Sequence, residues 1–231
     1  MRPYGQYCGL ALALDRIGDR WTLLVVRELL TGPKRFSDLL AGLPGVATNL
    51  LAGRLKALES AGVVEQKRLP PPAASTTYAL TELGRALEPA VHALVQWGGH
   101  FMRQRARGQA FRPHWLAVAL QALLARFPAT GESLVVEIVM PEGNLRLSVS
   151  QNGVQVISGE QDPDVRLRGR PELVLGWASG EIDWKAATGS GLAISGSKWG
   201  RAVLRSLFEV PSRGAPRARR QPPGTAPGSG R

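Results

Sequence analysis

Residues 49–62 read NLLAGRLKALESAG, and this stretch decides how the first half of the chain is interpreted. At 100° per residue, Leu51, Leu55 and Leu58 fall on one face of a helix, as residues that pack on a core do. The opposite face carries small and basic side chains. The stretch therefore predicts an amphipathic helix whose leucine face is buried and whose opposite face meets a partner.

The small and basic face fits the major groove of DNA. Ala52 and Gly53 let the helix backbone approach closely, although a glycine there costs about 1 kcal/mol of helix propensity. Asn49 can pair with adenine and Lys56 can donate to guanine, and each good pairing discriminates between bases by about 1–3 kcal/mol. Arg54 lies on the flank of this face, where a phosphate is the better partner. The alternative is an ordinary surface helix with a fortuitous glycine.

The neighbouring segments predict a helix-turn-helix followed by a β-hairpin. Hydrophobic periodicity, caps and turn residues predict the following elements: helices at 9–17 and 21–30, both largely buried, a short helix at 37–41 capped by Ser37, a turn at 42–45, the quoted helix from Ala47 or Thr48 to Gly62, β-segments at 63–67 and 76–80 around RLPPPAAS, and a long helix at 81–101.

This order of elements is that of a winged helix-turn-helix, and its sequence resembles a known family. ALDRIGDRWTLLVVRELLTGPKRFSDLLAGLPG, NLLAGRLKALESAGVVE and YALTELGRALEPAVHALVQWG resemble the HxlR-type transcription regulators over about residues 5–100. The resemblance implies a bacterial-type regulator that binds double-stranded DNA as a homodimer. It further implies that the first and last helices of the domain form the dimer interface, and that two-fold symmetry requires a pseudo-palindromic operator.

The resemblance and the helix face together give the predicted DNA-binding residues: Thr48, Asn49, Ala52, Gly53, Arg54 and Lys56 in the recognition helix, and Lys67 and Arg68 at the base of the wing. The sequence departs from the family at two places. A capping Ser that is frequent ahead of the recognition helix is Ala47 here, and the wing tip PPPAASTT lacks the usual basic residue. The second departure argues against a wing contact in the minor groove.

The charge distribution agrees with a DNA-binding first half. Residues 1–115 hold 15 Lys and Arg against 8 Asp and Glu, whereas residues 116–211 hold 9 against 10. Residues 212–231 hold 5 basic and no acidic residues. The first half and the tail are therefore suited to a polyanion, with solubility as the alternative reason for the charge.

The second half predicts a separate α+β domain. The chain is divided into a winged helix-turn-helix domain at 1–104, a basic linker at 105–113, an α+β domain with a smaller sheet at 114–210, and a disordered basic tail at 211–231. The predicted elements of the α+β domain are a helix at 115–127, an antiparallel meander at 134–140, 144–150 and 154–158, a strand at 165–168, helices at 171–179 and 184–187, a strand at 192–195 and a helix at 198–208.

PDVRLRGRPELVLGWASGEIDWKAATGSGLAISGSKWGRAVLRSLFEV resembles the sterol-carrier-protein lipid-transfer fold, with coverage of about residues 115–210. That resemblance implies an apolar tunnel between a sheet and its helices, and hence a hydrophobic small-molecule effector. The residues that could line the tunnel are Trp115, Leu116, Leu120, Leu173, Trp177, Trp184, Leu204 and Phe208. A filled core that serves as a spacer or dimer support is the alternative, because pockets and cores are both apolar.

Cys8 lies just before the first helix, where several HxlR-type regulators carry a cysteine that reacts with oxidants or electrophiles. A helix N-terminus and nearby Arg residues could lower the thiol pKa, whereas the flanking YGQY and GLALAL equally suit a buried inert sulfur. The sequence leaves both readings open.

Other chemistry has no support in the sequence. GLAISGSKW at 191–199 has Ser-Lys where a phosphate loop needs Lys-Ser or Lys-Thr, and no nucleophile, metal-ligand or cofactor motif is present. No apolar run approaches the length of a membrane helix, and the N-terminus lacks a secretory signal. The sequence therefore predicts a cytoplasmic, non-enzymatic regulator without a cofactor, metal or membrane partner. The rival from another class is a lipid-binding carrier with no specific DNA target.

Overall fold

The computed structural model describes residues 3–68, 75–102, 108–124, 133–150, 152–159 and 161–208. It is an α+β structure with a three-stranded sheet in its first half and a five-stranded sheet in its second half. Residues 69–74 at the predicted wing tip, residues 105–107 of the predicted linker at 105–113, and the predicted tail at 211–231 lie outside the described residues.

The first half contains the predicted helix-turn-helix and hairpin. Its elements in chain order are α1 Gly9–Ile17, α2 Thr22–Leu30, β1 Lys34–Arg35, α3 Phe36–Gly42, α4 Thr48–Ser60, β2 Val64–Arg68, β3 Thr76–Leu80, α5 Glu82–Arg85 and α6 Glu88–Gly99. β3 pairs antiparallel with both β1 and β2. Leucines and valines from α2, α3, α4 and β2 form the core between these elements.

Three predictions for this half were wrong in detail. The helix predicted at 81–101 is two helices, because Pro89 has no N–H and its ring excludes the carbonyl four residues earlier, so α6 starts anew at Glu88. Ser37 does not cap α3; Arg35 occupies the cap, and its N–H donates to Asp38 Oδ2 at 3.1 Å. The helix α1 is not largely buried, since Leu10 is 69% exposed.

The second half contains α7 Pro113–Leu124, β4 Leu134–Met140, β5 Gly143–Ser150, β6 Gly153–Val156, β7 Val165–Arg168, α8 Pro171–Ala178, α9 Trp184–Gly189, β8 Ala193–Gly196 and α10 Lys198–Phe208. The strand order is β6-β5-β4-β7-β8, in which β4, β5 and β6 form the predicted antiparallel meander and β7 pairs parallel with β4. With five strands this sheet is the larger of the two, so the prediction of a smaller sheet was wrong.

Alternation along β5 and β7 gives these strands one apolar and one polar face. Leu134, Val136 and Ile138 of β4 are buried in the core that α7 and α10 help to cover. On the opposite face, Glu137 contacts Arg146 and Arg166 from the two neighbouring strands. The helices therefore cover one face of this sheet.

Helix α7 packs against both halves of the chain. Leu116 and Leu120 belong to the core beneath the large sheet, whereas Val118 belongs to the core of the first half. Gln96 of α6 donates to the Ala122 carbonyl at 2.5 Å. The two halves are therefore joined through a shared helix as well as through the chain.

Among the described residues, no helix is long and apolar enough to cross a membrane. Within the same ranges, no cluster of three or more His, Cys, Asp or Glu side chains could hold a metal ion.

Candidate nucleic-acid interface

Helix α4 presents the predicted small and basic face to solvent. Leu51, Leu55 and Leu58 are at most 1% exposed, so the leucine face is buried in the core. The exposed positions include five of the predicted DNA-binding residues, namely Thr48, Asn49, Ala52, Gly53 and Lys56. The helix begins at Thr48 behind Ala47, which supplies no side-chain cap.

Gly53 leaves an open concavity on this face. A Cβ atom built at Gly53 would meet nothing within 4 Å. The glycine is therefore not required by packing within the chain, and its φ is not in the left-handed region. The absence of a side chain at Gly53 leaves the helix backbone accessible from this face.

The polar residues of α4 differ in the hydrogen bonds and ion pairs that they form. Asn49 Oδ1 accepts from the Leu50 N–H at 2.9 Å, while Lys56 is exposed and forms no ion pair within the described part of the chain. Arg54 is half-buried and pairs with Asp19, in the turn between α1 and α2. Arg54 thus fastens α4 to that turn, and a phosphate contact would require it to leave Asp19.

The base of the wing carries the two predicted cations. Lys67 and Arg68 are exposed at the end of β2, and Lys67 Nζ lies 2.9 Å from Glu65 Oε1. The Lys67 carbonyl accepts from Thr77 Oγ1 at 3.2 Å, which holds the two strands of the wing together. The structure therefore presents both cations on the same domain as the exposed face of α4.

A buried carboxylate behind α4 was missed by the sequence interpretation. Glu28 of α2 is fully buried, and its Oε1 accepts from Arg27 Nη2 at 2.7 Å and from Trp115 Nε1 at 2.6 Å. Its Oε2 lies 2.6 Å from His114 Nε2 and 3.9 Å from Lys34 Nζ. We call Glu28, His114 and Trp115 the latch, because they connect α2 to the start of α7.

Burial acts to raise the pKa of Glu28, but the bonds and charges of His114 and Arg27 outweigh it and hold this pKa below its usual value. The carboxylate is therefore ionised at neutral pH. The guanidinium of Arg27 also lies 4.3 Å from the ring centre of Trp115, a cation–π contact. A signal in the sequence was the acidic residue within the apolar run TLLVVRELL, which has to find a buried partner.

Most of the predicted pocket residues lie together in the core of the second half. The buried ones are Leu116, Leu120, Leu173, Trp177, Leu204 and Phe208. The Trp177 ring centre is 4.5 Å from that of Phe208 and 5.1 Å from that of the partly buried Trp184. Trp177 Nε1 has no hydrogen-bond partner among the described residues. Trp115 is separated from this group because its indole N–H is directed to Glu28.

Cys8 is exposed and occupies the N-cap position of α1. Hydrogen bonds from the backbone N–H groups of Ala11 and Leu10 lower the pKa of the Cys8 thiol, because they stabilise the thiolate. The alternative, an inert sulfur buried within the chain, is therefore wrong, because Cys8 is exposed in the single chain.

The first half of the chain is similar to known transcriptional regulators. Residues 16–106 match the family described as HxlR-like helix-turn-helix. Over 100 residues the chain is 37% identical to the uncharacterized HTH-type transcriptional regulator YkvN of Bacillus subtilis (strain 168), which covers 42% of this chain and 82% of that protein. Over 89 residues it is 36% identical to the HTH-type transcriptional regulator YodB of the same organism, covering 38% and 80%. A solved structure of the redox regulator HypR in its reduced form is 30% identical and covers 40% of this chain and 92% of that one, with a TM-score of 0.38.

Proposed function

Because the chain belongs to the HxlR-like helix-turn-helix family through residues 16–106, we propose that it is a sequence-specific transcriptional regulator that binds a pseudo-palindromic operator as a homodimer. The observation that carries this proposal is the exposed face of α4, which is backed by three buried leucines and has an open position at Gly53. Base reading requires such a helix to enter the major groove.

An apolar surface on α1 and α6 supports a homodimer. Leu10 and Leu12 on α1 and Leu94 and Trp97 on α6 are each more than 45% exposed. Phe101 is the second residue after α6, and its ring centre is 4.9 Å from that of Trp97. A monomeric protein rarely exposes so many large apolar side chains on two elements of one domain. A second copy of the chain would bury them and place one α4 at each half-site.

We expect the double variant Leu94→Asp, Trp97→Asp to be monomeric. Two carboxylates would have to be buried in the interface without partners, which costs several kcal/mol. Sedimentation should show the mass falling from about twice the 24.8 kDa chain to one chain, with helical content unchanged. Trp199→Asp, which removes an exposed tryptophan from α10, is the matched control and should remain dimeric. A double variant that stays dimeric would place the interface elsewhere.

Lys56→Ala should weaken operator binding about tenfold, since one good contact to a base discriminates by about 1–3 kcal/mol. The operator is first recovered by selection from randomised duplexes, and affinities are then compared by fluorescence anisotropy. Lys198→Ala removes an equally exposed lysine from α10 and should leave the affinity unchanged at the same salt concentration. Equal affinities of wild type and Lys56→Ala would show that α4 does not dock by this face.

For the second half, we infer a ligand-binding domain at residues 114–210, joined by the segment 105–113 and followed by a tail at 211–231. The proposal of a sterol-carrier-like fold is supported by the order of α7, the meander and β7, and by helices that cover one face of the sheet. The unpartnered Trp177 N–H within an apolar core supports a ligand with an acceptor group. In this proposal a hydrophobic small molecule alters the spacing of the two recognition helices.

The ligand must distinguish the two DNA-binding states. A shift in the ratio of the two states from 99:1 to 1:99 requires about 5.5 kcal/mol of differential binding. A ligand that binds both states with equal affinity does not change this ratio. The latch and the shared helix α7 give the second half a mechanical connection to α2, which packs against α4.

A second candidate function is redox or electrophile sensing through Cys8. The observation that favours it is the exposed thiol with a lowered pKa at the N-terminus of α1, next to the proposed dimer surface. Oxidation there would change the packing of α1 between the two copies.

Under this second function, diamide should release the wild-type protein from its operator, whereas Cys8→Ser should stay bound. The reason is that the chain has one cysteine, so the substitution removes every thiol. Anisotropy with and without diamide measures the release. Equal release of both proteins, or of neither, would exclude Cys8 from regulation.

The selection experiment also distinguishes a DNA-binding regulator from a lipid-binding carrier. A regulator should enrich a two-fold symmetric motif from randomised duplexes, whereas a lipid-binding carrier should enrich none. Lipid that copurifies with the protein would be compatible with both functions and does not decide between them.

A further inference from the structure

An open groove lies where the start of α7 meets the ends of β5 and β6. Its volume is about 530 Å³, which is within the range of roughly 300–1,000 Å³ found for small-molecule sites. The groove is lined by Pro113, His114, Glu137, Asn144, Leu145, Arg146, Val156, Ile157, Ser158 and Gly159. It is distinct from the predicted pocket, whose residues pack against one another in the core.

Among the described residues, two arginines share one carboxylate beside the groove. Glu137 accepts from Arg146 Nε at 3.2 Å and also from Arg166, so two guanidinium groups share one carboxylate. These bonds, led by the one from Arg166, keep the pKa of Glu137 low, and the carboxylate remains ionised. The three groups therefore carry a net charge of +1. Arg146, whose Nη1 donates to the Gly159 carbonyl at 2.5 Å, lines the groove itself.

The other walls supply apolar surface and hydrogen-bond donors. Val156, at the end of the edge strand β6, is paired with the buried Leu147 and is 37% exposed. Asn144 and Ser158 contribute an amide and a hydroxyl. A ligand with a compact apolar body and a carboxylate would match these walls, since a charge-assisted hydrogen bond is about twice as strong as a neutral one.

The groove also reaches the latch. His114 lines the groove, and its Nε2 lies 2.6 Å from the buried carboxylate of Glu28 on α2. A molecule that moves His114 therefore perturbs a bond to the helix that packs against α4. This contact gives the groove a direct route to the DNA-binding face.

We propose that this groove is a second ligand site, separate from the apolar core around Trp177, and that it binds a small organic anion with a compact apolar body, whose occupancy is transmitted through His114 and Glu28. The transmission rests on the proposed DNA-binding function; the binding does not. Cyclohexanecarboxylate is a suitable probe, with cyclohexylmethanol and cyclohexylmethylamine as neutral and cationic molecules of the same shape.

The first experiment measures binding to the full chain by calorimetry. The carboxylate should bind at least about tenfold more tightly than the alcohol or the amine. Val156→Trp should abolish this binding because the indole fills the groove. Ala186→Trp adds the same ring at an exposed position of α9 that does not line the groove, and this variant should bind normally. Equal binding of the three probes, or normal binding by Val156→Trp, would overturn the site.

The second experiment measures operator affinity with and without the carboxylate. The probe should change the affinity of the wild-type protein, and Trp115→Phe should reduce that change while still binding the probe. Trp115→Phe keeps the aromatic ring and removes the N–H bonded to Glu28. An undiminished change in Trp115→Phe would overturn the route through the latch. If the protein bound no DNA, the proposed function would be wrong, but calorimetry would still show whether the groove binds the carboxylate.

Discussion

A leucine at position 53 should abolish operator binding and at the same time stabilise the fold. An α-helix with its side chains is about 10–12 Å wide and the major groove is about 12 Å wide, so a branched side chain on the docking face has no room. We expect a loss of more than about 100-fold in affinity, or about 2.7 kcal/mol. Because the space at Gly53 is open within the chain, Leu there should raise stability by about 0.8 kcal/mol through helix propensity.

Two controls separate docking from folding in this experiment. Gly53→Ala adds one methyl group, should give most of the added stability, and should weaken DNA binding far less. Ala202→Leu places the same leucine on the exposed side of α10 and should leave the affinity unchanged. Urea denaturation and anisotropy provide the two readouts. A Gly53→Leu protein that is folded and binds normally would disprove the approach of this helix face to DNA.

Glu28→Gln should cost about 3 kcal/mol of unfolding free energy. Removing one member of a buried ion pair costs about 3–5 kcal/mol, and the lower value applies because Arg27 and Lys34 are each 18% exposed and can recover some solvation. One carboxylate oxygen of Glu28 accepts from Arg27 and Trp115, and the other faces His114. In the glutamine variant an NH₂ group replaces one of these oxygens, so it would face donors and could not accept from them. Urea denaturation at neutral pH measures the change.

The same comparison should depend on pH in a defined direction. The folded-state pKa of Glu28 is lowered, so its contribution is complete above the unfolded-state pKa and is lost as the pH falls through the folded-state value. The difference between wild type and Glu28→Gln should therefore be present at neutral pH and shrink as the pH falls below about 4. Glu59→Gln, on the exposed side of α4, should show almost no difference at any pH. A constant difference down to pH 3 would contradict the ionised latch.

Local pattern was sufficient to predict the recognition helix. The leucine spacing of α4 and the glycine at its end are properties of a few consecutive residues, and the structure has this helix at Thr48–Ser60. The same holds for the hairpin of β2 and β3 and for β5, in which buried apolar residues alternate with partly exposed polar ones.

Features that depend on distant residues could not be predicted in this way. The latch joins Glu28 to His114 and Trp115, which are more than 80 positions later in the chain. The pairing of Arg54 with Asp19 likewise needs the packing of α4 on the turn after α1. The sharing of α7 between two cores is a third example, because one apolar helix pattern cannot show which core each side contacts.

The exposed surface of α1 shows a different limit. Leu10 and Leu12 have the pattern of a buried helix, and the prediction of burial failed within one chain. An apolar pattern predicts that a side chain is buried, but it does not predict whether the same chain or a second copy buries it.

The central claim is that two copies of α4 enter the major groove at symmetric half-sites, and methylation interference on the selected operator tests it most directly. Methyl groups on guanine N7 report the major groove, and those on adenine N3 report the minor groove. Docking by two copies of α4 should give interference at guanine N7 in two patches related by two-fold symmetry, about 10–10.5 base pairs apart on one face of the duplex. A single patch, or interference confined to adenine N3, would contradict it.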